Sequence, residues 1–482
     1  MLRPLTVLLA AGSAFAADPV ESDYYRIQQI PNPDKFVLEV GALEYAPDDV
    51  IYAATRRGEV YRLTGACGPD LSATKISLFA QGMHETLGAA WRDGSLYVQQ
   101  RPEITRLKDE DGDGCADVFE TVSDQWALTG DYHEYAFSSR PDKNGDIWSV
   151  LCLTGSGTSY ALWRGWAVKT SPDGKTIPVC SGVRSPGGIG FNADGDVFYT
   201  DNQGPWNASS SLKWLKPGGF MGHGDTLKWH AYAPDMLKPE APKENSRSAS
   251  ERERNPLYIP PAIMLPHGRI GASPTAIICD TTGGKFGPCK NQLFIGEQCY
   301  SNIARVSLEK VDGLYQGVVF PFVKGFASGP IGMVLTPEGQ MFVGGSDRGW
   351  GARGGKPFHL DRLIWTGKVP FEILDMKARP DGFLLTFTQP VDKAAAGNPG
   401  SYQMEAWTWP FQSGYGGPEV DKSKPEVQSA EVGADGLSVR LRIGGLVKGH
   451  VHLLKSEGVR SADGLPLLHK DAYYTLNNVP RE

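Results

Sequence analysis

Along most of the chain, apolar residues come in short runs broken by polar turns, and one phrase returns six times. An apolar segment leads into a turn carrying Asp, Asn or Gly, and a second short apolar or aromatic run follows. The copies are LEYAPDDVIYAAT from Leu43, AAWRDGSLYVQQ from Ala89, AFSSRPDKNGDIWSV from Ala136, IGFNADGDVFYTD from Ile189, CDTTGGKFGPCKNQLFIGE from Cys279 and MVLTPEGQMFVGG from Met333. Their second runs start near Ile51, Leu96, Ile147, Val197, Leu293 and Met341, at steps of 45, 51, 50, 96 and 48 residues. Four of the five steps match the period of a propeller blade, a four-stranded sheet that cannot cover both of its faces alone. Closing the blades into a ring covers the faces and removes the open edges. The long step contains residues 234–261, rich in proline and charge and poor in β-branched residues, which read as loop. The pattern therefore predicts an all-β chain with a six-bladed β-propeller over residues 38–367 and an insertion near 225–262, between blades four and five.

The pattern changes after Trp365. Alternation in FLLTFT and LSVRLRI predicts half-buried antiparallel strands, and residues 368–482 have the size of an immunoglobulin-like β-sandwich. Between those strand groups, SYQMEAWTWPFQSGYGGPEVD reads as a long aromatic loop.

Composition agrees with many short strands: 58 Gly and 35 Pro supply turns, and charged residues are only 21%. A net charge of -7 provides no basic face for nucleic acid. The first residues, MLRPLTVLLAAGSAFA, place Arg3 before a short apolar run and end on an A-x-A site, so residues 1–16 read as a signal peptide and the protein as secreted or periplasmic. No later run looks transmembrane. Outside the cytoplasm some of the seven cysteines should pair, and Cys279 and Cys289, flanking TTGGKFGP, form the expected bridge. No CxxC occurs, which excludes a zinc ribbon and a c-type haem attachment site.

Residues 109–120, DEDGDGCADVFE, fit D-x-D-x-D-G-x5-E. Asp109, Asp111, Asp113, Asp117, Glu120 and the backbone carbonyl of Cys115 would supply the hard oxygens that calcium takes, and Gly114 the sharp turn. EITRL before the loop reads as a strand, so the expectation is a structural calcium loop between blades rather than an EF-hand pair.

From Arg184 the chain reads RSPGGIGFNADGDVFYTDNQGPWNASSSLKWLKPGGFMGHG. This resembles the central stretch of the glucose/sorbosone dehydrogenase family, the soluble quinoprotein glucose dehydrogenases and their aldose and sorbosone relatives. The resemblance spans roughly residues 38–367. It implies that the carbonyls of Gly204 and Pro205 hold a calcium ion beneath pyrroloquinoline quinone, and that Arg184 contacts the cofactor. It also implies that His133, in GDYHEYAFSS, takes the proton of a sugar hydroxyl, a task suited to a neutral imidazole. HGRIGASPTAI resembles the family's entry to blade five. The passages SGPIGMVLTPEGQMFVGGSDRGWGARGG and RLIWTGKVPFEILDMKARPDGF resemble most closely the secreted planctomycete and verrucomicrobial sorbosone-type propellers, without their CxxCH haem domain.

Some of the family's basic side chains are absent. Gln298, Cys299 and Tyr300 stand where the family has a lysine, Ser328 and Pro330 where it has arginines, and the strand IWSVLCL ends without a carboxylate to orient His133. Three carboxylates facing one arginine would be poorly compensated, which argues against the quinone.

Three functions follow. The first is an exported sugar or polyol oxidoreductase that passes electrons to a separate acceptor. The second is a non-catalytic propeller binding a small molecule, a glycan or a partner. The third is a lactonase-like hydrolase, with Asp201, Asn202 and Asp347 as metal ligands. Asn202, Gln203, Trp206, His223, His267, Arg269, Tyr300, Asp347, Arg348 and Trp350 fall at strand ends or in loops, with Trp206 and Trp350 as candidate sugar-stacking rings.

Overall fold

The computed structural model describes residues 18–481, so the expected signal peptide lies outside the described residues. Six antiparallel sheets form the ring. Their second strands are Val50–Thr55, Ser95–Gln99, Ile147–Leu151, Val197–Asp201, Leu293–Glu297 and Gln340–Ser346, each starting within one residue of the sequence reading. Blade six is completed by Tyr25–Gln29, which pairs with Phe358–Trp365. The propeller therefore takes in a strand upstream of residue 38, and this pairing of its first and last strands closes the circle.

The long excursion lies inside blade four, between its third strand Ser210–Trp214 and its fourth, Ile263–Leu265, and not between two blades. It carries a 3₁₀ helix, Gly224–Tyr232, and a short α-helix, Ser248–Arg254.

The C-terminal sandwich has one four-stranded sheet, in the order Ile373–Arg379, Gly382–Phe387, Ser438–Gly444, Glu426–Val432. The opposing sheet is not separate from the propeller. Asp471–Leu476 pairs with Leu314–Lys324, the last strand of blade five, placing Tyr474 opposite Val318. Eight strands thus run unbroken from blade five through the sandwich. Val318 and Phe320 of blade five share one apolar core with Phe383, Leu385, Met404 and Tyr474. The aromatic stretch from Ser401 is strand over Gln403–Thr408, and its loop ends where the next strand, Val420–Ser423, begins.

All seven cysteines are free. Cys289 packs with Tyr25 and Phe286, whereas Cys279 lies against a different apolar cluster that contains Ile189 and Val306, so the expected bridge does not form.

Antiparallel blades dictate where the loops go. The second-to-third and fourth-to-first connections emerge at one end of the ring, and the first-to-second and third-to-fourth connections at the other. Among the described residues no helix is long and apolar enough to cross a membrane.

Candidate functional site at the channel mouth

The topology brings His133, Arg184, the Asn202–Trp206 turn, His267, Arg269, Tyr300 and the Asp347–Trp350 turn to the same end of the ring. There a small cavity of about 40 Å³ is lined by Arg56, Tyr135, Asn202, Gln298 and Trp350.

A buried charge cluster that sequence reasoning missed borders this cavity. Arg56 donates to Glu85 Oε1 from Nη2 at 2.6 Å and from Nε at 3.0 Å, and Arg101 Nε lies 3.6 Å from Glu85 Oε2. The Tyr135 ring lies 5.5 Å and 5.2 Å from the two guanidinium carbons. Two arginines thus share one carboxylate. Arg164, fully buried, gives its N–H groups to the carbonyls of Ala127, Glu134, Tyr135 and Arg101. Burial pulls it down to about 10, against the pull of Glu134. The only sequence signal for Arg56 and Arg101 was their place just after second strands.

His133 does have a carboxylate beside it. Asp131 Oδ1 lies 3.8 Å from His133 Nδ1 and accepts the backbone N–H of His133 and of Gly155, each at 2.8 Å. Burial works against the Asp131 charge, but those N–H groups hold the carboxyl below its usual range. The expectation of an unaccompanied histidine was wrong because the acid comes from the turn before His133 and not from the strand after it. Burial lowers the His133 pKa below 6.5; Asp131 opposes this, while Arg184 and Arg101 add to it. The imidazole is therefore neutral near pH 7. The Trp350 ring stands 6.0 Å away, nearly edge-on.

Arg184 is already spoken for. Its Nε donates to the Ser156 carbonyl at 2.9 Å, and Nη1 to those of Gln203 at 2.6 Å and Asn202 at 3.3 Å. Tyr415, from the C-terminal sandwich, lies over its guanidinium at 5.2 Å. The Gly204 carbonyl accepts the N–H of Asn207 at 3.1 Å and of Gly416 at 3.3 Å. A Cβ on Gly204 would lie 2.1 Å from Arg184 Cζ, so a larger residue there would push the guanidinium off the carbonyls that hold it.

Several other expected ligand contacts serve the fold instead. Trp206 packs on Phe411 and donates its backbone N–H to Gln412, so it is no free stacking ring. Arg269 forms a two-pronged ion pair with Glu419 and lies over Trp407. Arg348 pairs with Glu39, and its carbonyl accepts from Arg56. The Gln203 amide binds the Ala208 carbonyl. Asp347 gives its N–H to Pro357, and His267 is exposed with its N–H on Ser209. Pro205 belongs to the turn that the sandwich covers. Asn202 binds the Ser185 carbonyl through Nδ2, leaving Oδ1 buried without a partner. His223 is buried with neither ring nitrogen hydrogen-bonded; burial first, then Arg184 and Lys213, drive it down to about 3.

The acidic loop sits at the opposite end. It joins Ile104–Lys108 to Val118–Ser123, the third and fourth strands of blade two, so it lies within a blade and not between two. Asp109, Asp111 and Asp117 each bring an oxygen within 4.8 Å of the others. Asp113 is not in that group and accepts the Cys115 N–H at 2.8 Å. The Cys115 thiol lies 3.6 Å from the Leu78 carbonyl. Glu120, expected as the last ligand, faces Arg106 across the ladder, with Nε at 2.6 Å. A hairpin replaces the helix that would turn such a glutamate inward.

A quinone held by calcium does not fit the mouth. The Gly204 carbonyl is committed, Arg184 is clamped and covered, and Arg56 and Arg101 are tied to Glu85. No lysine replaces them at Gln298–Tyr300.

The propeller is similar in fold to solved sugar-dehydrogenase structures. A putative oxidoreductase (glucose dehydrogenase) from Thermus thermophilus aligns at 17% identity and TM-score 0.51, covering 70% of this chain and 100% of that one. A Trichoderma reesei Carbohydrate-Active Enzymes Family AA12 protein aligns in its iodide structure at 12% identity and TM-score 0.52, covering 75% and 100%. Its calcium structure gives 12% and 0.50, covering 72% and 97%. No curated protein sequence matches the chain. The family described as Domain of unknown function (DUF7133) matches residues 35–311, more than half of the chain, and the chain belongs to that family.

Proposed function

We propose that the channel mouth binds a sugar or polyol, in an exported propeller that calcium stabilises through the acidic hairpin of blade two. The observation that carries this reading is what the cavity lining leaves open. Asn202 Oδ1, on that lining, is buried without a hydrogen-bond partner, while Trp350, also on it, stands exposed beside His133. Such an atom costs about 1–3 kcal/mol until something satisfies it. A ligand carrying both hydroxyl donors and acceptors, with one apolar face for Trp350, answers that lining. The resemblance to sugar dehydrogenases supports the same class of ligand.

The second reading is a sugar or polyol oxidoreductase, favoured by the neutral His133 beside Asp131. His133 would accept the proton of a bound hydroxyl, and Asp131 would hold the ring. Because the calcium-held quinone does not fit, the hydride would need a separate acceptor. The lactonase-like reading has little support: Asp201 is fully buried on Lys213, Tyr199 and the Ser185 N–H, with no oxygen open to a metal at the mouth.

The test is calorimetric titration with a panel of sugars and polyols, alongside dye reduction with the same compounds. Binding without dye reduction favours the binding module. Dye reduction lost about 10²–10⁴-fold in His133→Ala favours the oxidoreductase. Absence of any binding across the panel sinks both.

A further inference from the structure

The Gln412–Gly416 stretch of the C-terminal sandwich reaches across to blade four. The Gln412 carbonyl accepts the Trp206 N–H at 2.8 Å, the Gly416 N–H reaches the Gly204 carbonyl, and the Gln412 amide closes back on the Gly416 carbonyl at 2.9 Å. At its centre Tyr415 is 70% exposed, yet its ring rests on Arg184, which three carbonyls hold in place. One face of the ring thus has a fixed cationic base and the rest is open to solvent. Across the mouth Trp350 is 39% exposed against His133, and the Arg184 charge reaches that histidine. Tyr415 over Arg184 and Trp350 beside His133 are thus two exposed rings at the same end of the ring, with the half-buried His133 as the open polar group beside them.

We propose that Tyr415 is the platform of a second sugar subsite, which the sandwich adds to the propeller, so that the ligand is an oligosaccharide of equatorial pyranoses rather than a single sugar. The inference rests on the sugar-binding reading of the mouth. Equatorial pyranose rings present a face of axial C–H groups, which suits the negative face of an aromatic ring. The neighbouring polar groups suit the hydroxyls at the ring edge. A single ring beside Trp350 would leave Tyr415 unused, whereas a chain of rings spans both.

Calorimetry on the full chain with glucose and with cellotriose tests this. The expected result is tighter binding of cellotriose, with Tyr415→Ala weakening cellotriose about tenfold and leaving glucose unchanged. Tyr415→Phe should keep the wild-type affinity, because the ring and not the hydroxyl does the stacking. Equal loss for both sugars, or loss for neither, overturns the subsite alone, as does glucose binding without cellotriose binding. If wild type binds neither sugar, the subsite falls; if it also binds nothing else across the sugar and polyol panel, the sugar reading of the mouth falls with it.

Discussion

The acidic hairpin of blade two and the Gln203–Trp206 turn of blade four lie at opposite ends of the ring and offer a cation different things. The hairpin presents three carboxylates whose oxygens converge within 4.8 Å. It is built locally: Asp109 accepts the N–H groups of Gly112 and Gly114, and Asp117 that of Glu110. The turn offers neutral carbonyls, and those of Gln203 and Gly204 already accept protein donors, Arg184 at one and Asn207 with Gly416 at the other. Carboxylates keep lone pairs and charge to spare after accepting one N–H, whereas a carbonyl with two donors has none. Both stretches name ligand types that calcium uses, but only the hairpin adds negative charge to them, and the turn's Gly204 carbonyl is doubly occupied. The blade-four turn also depends on a module more than 200 residues away in sequence, while the hairpin leans only on the neighbouring blade, where the Phe79 carbonyl accepts the Ala116 N–H.

The largest effect expected from this difference follows removal of the C-terminal module. A chain ending at Gly367 loses Asp471–Leu476 from the last strand of blade five, exposing Val318 and Phe320 and an open edge along Leu314–Lys324. The expected outcome is insoluble protein or loss of cooperative melting, because an exposed apolar edge strand pairs with other chains. A truncated chain that melts cooperatively within a few degrees of the full chain would show that blade four's turn stands without its cover.

A smaller effect is expected from pH. His469 of the sandwich lies between Glu372 Oε1, 2.6 Å from Nδ1, and Glu21 Oε1, 3.2 Å from Nε2. Burial works against its charge, but the two glutamates outweigh that and raise it to about 9. A histidine raised on folding stabilises fully below its unfolded value near 6.5, and the contribution fades as pH climbs through about 9. The module should therefore loosen in alkali, by on the order of 3 kcal/mol between pH 6 and pH 10. Denaturant unfolding at the two pH values, wild type against His469→Gln, isolates that share from other titrations. Equal pH dependence in the two proteins would break the link, and the calcium response of the hairpin should not follow it.

What the sequence made legible was local. Turn chemistry and alternation located all six second strands, because a blade's hairpins form between neighbouring segments. What it hid was pairing across distance. Tyr25–Gln29 is a strand only because the ring closes on it, and the Asp471–Leu476 pairing with blade five joins segments with a whole sandwich between them. The site divides the same way. His133 and Arg184 were readable from local phrases, whereas Glu85 meets Arg56 from 29 residues away with no motif to announce it. Trp206 read as a stacking ring because nothing local foretells that Phe411 packs against it.

The finest discrimination lies within the hairpin. A calcium ion at 100 times its Kd should raise stability by about 2.7 kcal/mol, read as a higher melting temperature in calcium than in EDTA. Asp109→Asn should remove most of that rise, since Asp109 is one of the three converging carboxylates and also holds the Gly112 and Gly114 N–H groups. Glu120→Gln should leave the rise almost intact. Its carboxylate faces Arg106 on the strand ladder, where a partly exposed pair contributes about 0–1 kcal/mol whether or not metal is present. The two variants therefore separate a hairpin site from a helical calcium loop, in which the twelfth residue is a bidentate ligand and its loss would be the more damaging. A calcium-dependent rise abolished by Glu120→Gln would mean that the ladder opens to let the glutamate turn inward. A melting temperature equal in calcium and EDTA would leave the hairpin with carboxylates that only tie its own backbone.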